Sequence, residues 1–172
     1  MDLNEIFATK RSQKQIEMAA RLIIENPVLI DKLLFFLATN DKELNQKAAQ
    51  TFHKITDINK NLLARYQMQL LPVLKISVHI SVKRCVLRLF SQIGIDNEIA
   101  GQVVDECFNF LTENNQPTAI KVFAMTTIAA IAQRYPELMQ ELRPILEEQM
   151  PYASAGFKSR AGKILNGTYK FN

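Results

Sequence analysis

The 172-residue chain has 48% hydrophobic and 22% charged residues, proportions of a folding soluble protein that exclude a disordered tail or a membrane protein. Its 21 basic and 17 acidic residues leave a net charge of +4. Five glycines, six prolines and two cysteines exclude a turn-rich sheet protein and a disulfide framework, and the abundance of alanine, leucine, isoleucine, lysine and glutamine favours helices. The densest apolar run, Leu33 to Ala38, is far below the roughly 20 residues that cross a bilayer. Residues 1–7 have no basic lead into a long apolar segment, so the expectation is a cytoplasmic protein with no membrane partner.

In chain order, Ser12 with Gln15 predicts a capping box that opens a helix with Ile16, Ala19, Ala20, Ile23 and Ile24 on one face, ending near Asn26. Pro27 suits the first turn of the next helix, which carries Leu29, Ile30, Leu33, Leu34 and Leu37. Asn40 with Glu43 predicts a second capping box, ahead of Leu44, Ala48, Phe52 and Ile55. Helices follow over about 59–75 and 78–93, the second stopped by Gly94. The next two cover about 96–112 and 117–134, with Pro117 in a first turn. Another runs from Pro136 to about Met150, ended by Pro151, and the last covers 153–166 and meets Gly167. The count is about nine helices, and the tail 168–172 contributes two aromatic residues, Tyr169 and Phe171.

The string repeats itself. A shift of 38 residues aligns Ala48, Val86 and Ala124, then Phe52, Phe90 and Ile128, then Ile55, Ile93 and Ile131. Lys83 falls on Lys121, and a further shift of 37 brings Lys158, Ala161 and Leu165 onto Lys121, Ala124 and Ile128. The preceding helices follow: Leu62, Ala100 and Leu138; Tyr66, Val104 and Leu142; Leu70, Phe108 and Leu146. A period near 40 with two helices per unit belongs to an array in which each pair buries its apolar stripe only against its neighbours.

Two stretches carry a family resemblance. Leu70-Leu71-Pro72-Val73-Leu74 precedes Val82-Lys83-Arg84-Cys85-Val86-Leu87-Arg88-Leu89-Phe90-Ser91-Gln92-Ile93-Gly94, and Leu142-Arg143-Pro144-Ile145-Leu146 precedes the helix 157–165. A proline-bearing apolar helix followed by an amphipathic aliphatic-basic one resembles a HEAT repeat. The resemblance spans roughly 27–166, although the units over 29–55 and 96–131 lack the first-helix proline. It implies one all-α, right-handed α-solenoid domain over 1–172, with about four pairs (27–56, 59–94, 96–134 and 136–166), a cap over 1–26 and a tail over 167–172.

Catalytic chemistry finds little footing. His53 and His79 stand 26 residues apart without metal-ligand spacing, and are expected to be surface or helix-end residues. Cys85 and Cys107 sit in helical patterns, as buried thiols. Gly162-Lys163 lacks the glycine and hydroxyl residue of a phosphate loop. The doublets Asp105-Glu106 and Glu147-Glu148 diverge around a helix, and Glu137 with Glu141 reads as a solvated acidic face. Neither a catalytic constellation nor a cofactor or metal site is expected.

Charge is the informative feature. The second helices of the pairs with their amino-terminal equivalent (10–25, 41–56, 78–94, 117–134 and 152–170) hold 16 of the 21 bases and only four acids, a net +12, while the rest carries −8. In HEAT-like solenoids second helices line the concave side, so the resemblance implies a basic inner surface. A basic surface attracts an acidic protein segment or nucleic-acid phosphates. The expected contact residues are Lys83, Arg84, Arg88, Lys121, Val122, Thr126, Lys158 and Lys163. An acidic protein or peptide is the first expectation for the partner. Nucleic acid is the second, with DNA-alkylation-repair glycosylases as a HEAT-like precedent, though a chain without tryptophan and with few acids on its second helices lacks their catalytic means. The helix 119–132 is apolar or small nearly all round, so it is either covered by the aromatic tail or forms an apolar groove.

Overall fold

The computed structural model of the chain describes residues 2–10, 12–76 and 79–171, and every regular element among them is helical. The helices are α1 (Leu3–Ala8), α2 (Gln13–Glu25), α3 (Ile30–Ala38), α4 (Lys42–Ala64), α5 (Gln67–Ile76), α6 (Ile80–Phe90), α7 (Asn97–Thr112), α8 (Thr118–Ile131), α9 (Leu138–Gln149) and α10 (Ala155–Leu165). They group into two compact units, Met1–Leu89 and Phe90–Asn172.

In the first unit, α2 and α3 pack on α4, α1 packs on α2, and α5 packs on α3. Helix ends explain much of its order. Ser12 Oγ accepts the Gln15 amide, as expected, but the Gln15 side chain does not complete the box. It turns inward and donates to the carbonyls of Ile6 and Thr9 at the end of α1. Asn45 does the same for α3, donating to the carbonyls of Phe36, Leu37 and Thr39. Orphan carbonyls at two helix ends are thus met by amides of the following helix. The cap of α4 is Asp41 rather than Asn40: its carboxylate accepts from the amides of Glu43 and Leu44.

The helix expected to start at Asn59 begins without a loop. Asn59 has φ −152° and ψ 75° inside α4, and its side chain accepts from the Leu62 amide, so it caps the continuing segment of a kinked rod. Pro72 in α5 and Pro144 in α9 are tolerated because both are exposed, as are Met68 and Gln140, whose carbonyls lose the intrahelical donor. Val78, the expected start of α6, lies outside the described residues, and that helix ends at Phe90 rather than Ile93. Gly94 is not left-handed; Gly167, at φ +71°, is the one described residue that is.

In the second unit α8 is the central element, packed against α7, α9 and α10. Pro117 stands just before the first helical residue rather than within it, and α8 stops at Ile131. The helix expected from Pro136 begins at Leu138, and Pro151 belongs to a short 3-10 turn, Met150–Tyr152, that prolongs α9. The repeat positions are core positions within their own units: Ala48, Phe52 and Val86 in the first, and Phe90, Ala124 and Ile128 in the second, are all fully buried. Each of the two phenylalanines contributes roughly 2–3 kcal/mol by burial. Ile93, beyond the end of α6, is only half-buried.

Candidate interaction surfaces

In the first unit α2, α4 and α6 border a groove of about 380 Å³. Gln46, Gln50, His53 and Lys54 reach it from α4, and Arg84 from α6. Arg84 is exposed, the state needed for an outside partner. Arg88, one turn on, is differently placed: its guanidinium bonds Asp57 at 2.6 Å and His53 Nδ1 at 3.2 Å. Asp57 extends the charged face of α4 past residue 56, where the expected second helix stopped, so Arg88 meets an acid of its own chain before any partner's. Lys83 is half-buried. Burial and the nearby Arg88 cation lower the pKa of His53, opposed by Asp57. His79 Nε2 stands 2.9 Å from the Gln46 side-chain nitrogen, and its Nδ1 stands 2.6 Å from Ser81 Oγ.

The other expected contact residues lie in the second unit. Lys158 and Lys163 are exposed on α10. Lys121 is half-buried and donates to Gln149 Oε1, while Gln149 Nε2 donates to the Leu111 carbonyl at the end of α7. Lys121 thereby ties α8 to α9, and burial lowers its pKa. Val122 is half-buried, but Thr126 is not exposed at all. Its hydroxyl donates to the Val122 carbonyl and accepts from Arg160 Nη1 at 2.6 Å. Thr126 as a contact residue is corrected on that ground: Arg160 lies over it, and Tyr169 lies over Arg160, with the guanidinium carbon 4.6 Å from the ring centroid. Of the two alternatives for α8, cover by the tail is seen only at Thr126, where Tyr169 backs Arg160, while Val122 and Ala130 on the same stripe stay half-buried. Tyr169 and Phe171 meet edge to face and border a recess with Ala129 and Gln133.

The helix pairs, the shared buried positions and the period near 40 are matched by one family model, the HEAT repeat domain, over residues 3–168. The chain belongs to the HEAT-repeat family. No curated protein and no solved structure gives a match. The HEAT array is an all-α solenoid, and HEAT repeats are generally protein-interaction scaffolds.

Sequence reasoning missed most of the groove. The HEAT register held a signal for it, since the shift of 38 places Gln46, Gln50 and Lys54 on the stripe of Arg84, Arg88 and Gln92. The four-residue spacing of His53 and Asp57 marked one helical face. Nothing marked Gln149 or Arg160, whose partners are 28 and 34 residues away. Among the described residues no three His, Cys, Asp or Glu side chains gather as metal ligands. Both cysteines are buried free thiols, their pKa values raised by burial.

Proposed function

We propose that this HEAT-repeat protein is a non-enzymatic cytoplasmic scaffold that holds an acidic segment of a partner protein on its second helices, along the groove of α2, α4 and α6. The finer architecture in this reading is right-handed, with about four helix pairs behind the cap of residues 1–26. The observation that carries it is Arg84, an exposed guanidinium at the edge of a polar groove that also holds Lys54, itself paired with Glu17. Polar side chains there supply hydrogen bonds, and the cations supply orientation and encounter rate. Nucleic acid is less favoured, because Lys47, Lys54, Arg88, Lys121, Arg134 and Arg160 among the second-helix bases already bond within the chain.

The test compares proteins recovered from cell extract by the wild-type chain and by Arg84→Glu. The reading expects the variant to lose partners with acidic segments, and expects those partners to elute from wild type as salt rises. Retention of every partner by Arg84→Glu removes it.

A further inference from the structure

We infer that the second unit carries a docking groove of the opposite sign, fitted to a cationic amphipathic segment of a partner protein. It lies between α7 and α9, first helices of their pairs, and measures about 600 Å³. Its floor is apolar, with Ala100, Val104, Phe108 and Leu138. Three carboxylates rim it: Asp105 from α7, and Glu137 with Glu141 from the start of α9. Among the described residues, none of the three stands in an ion pair. The Arg134 guanidinium is turned onto Asn97 Oδ1 and the Ile95 carbonyl.

Gly101 adds an independent argument. It sits on the exposed side of α7, where glycine costs about 1 kcal/mol relative to alanine. A Cβ there would meet nothing within 4 Å, so the packing of the chain on itself does not call for glycine. Gly101 lines the groove, so a large side chain there would occupy part of it. A floor of this kind takes apolar side chains, and unpaired carboxylates on both walls take Lys or Arg beside them, in the manner of an amphipathic helix laid in a groove. The same acids repel phosphates, which sets nucleic acid and anionic lipid aside.

The experiment selects a displayed library of random 16-residue peptides on the full chain and counter-screens each clone on Gly101→Trp, which fills the groove from a position without packing neighbours. The expected clones lose binding on Gly101→Trp, carry net positive charge with apolar residues at helical spacing, and bind the Asp105→Lys, Glu141→Lys double variant at least tenfold more weakly. Circular dichroism checks that both variants stay folded, and the charge variant serves alone if Gly101→Trp does not. The inference is overturned if Gly101→Trp-sensitive clones are neutral or acidic, if no clone is sensitive to that variant, or if the charge variant binds cationic clones as well as wild type does.

Discussion

Lys47 Nζ donates to the Phe7 carbonyl at 2.8 Å, joining residues 40 apart in sequence. The same ammonium bonds the Thr9 carbonyl at 2.9 Å and Glu43 at 2.7 Å, and its side chain is 6% exposed. With Gln15 it closes the end of α1, the first element of the cap. Lys47→Met keeps the stem and removes the donor, stranding the Phe7 carbonyl and leaving the Thr9 carbonyl to Gln15 alone. The expected loss is about 2–3 kcal/mol, less than a fully buried pair would give because Glu43 is mostly solvated. Urea unfolding measures it, and an unchanged midpoint would show that the bonds contribute nothing.

Arg160 couples α10, α8 and the tail through Thr126 and Tyr169. A double-mutant cycle of Arg160→Ala and Tyr169→Ala is expected to give a coupling of about 1 kcal/mol, from the cation–π contact and its hydrogen bond. Either single change should also increase hydrogen exchange at the carboxyl end of α8. Additive effects would mean that the tail lies on the surface without holding it.

His53 makes stability depend on pH. Its pKa in the folded chain lies below the ordinary 6.5, first through burial and then through Arg88. Below 6.5 the unfolded chain therefore takes up a proton that the folded chain resists. The contribution is complete above pH 6.5 and is lost as pH falls through the lowered folded value. With the side chain 52% exposed the effect is small. His53→Gln should flatten the stability profile between about pH 6.5 and 5, above the carboxylate range, and an unchanged slope would remove this assignment.

Cys85 and Cys107 should resist a thiol reagent in the native state and react together on unfolding. Both lie inside helices at 4% and 0% exposure, and burial disfavours the thiolate that attacks. Fast labelling of either without denaturant would contradict the packing around Val86 or Phe110.

The helical array was readable because its signals are local and periodic: Phe52, Phe90 and Ile128 recur at one spacing, and each is buried. Helix ends were less readable. Asn40 and Asp41 are both good caps, and nothing local decides between them. The site was least readable, because whether a cation is available depends on what stands opposite it. Arg84 and Arg88 share a stripe in sequence, yet only Arg88 meets a carboxylate, and Asp57 reaches it from another helix. The repeat equates Thr126 with Arg88 and so predicts a surface position for it. Arg160, 34 residues later, covers it, and no periodicity reports that.

The bend at Asn59 has one more consequence. Where a solenoid usually passes from one layer to the next through a loop, here two helical segments abut at the single non-helical residue Asn59, whose side chain caps the second. That junction therefore offers a protease or an engineered insertion no slack segment to grip. Cuts and grafts belong at the turns that flank α4.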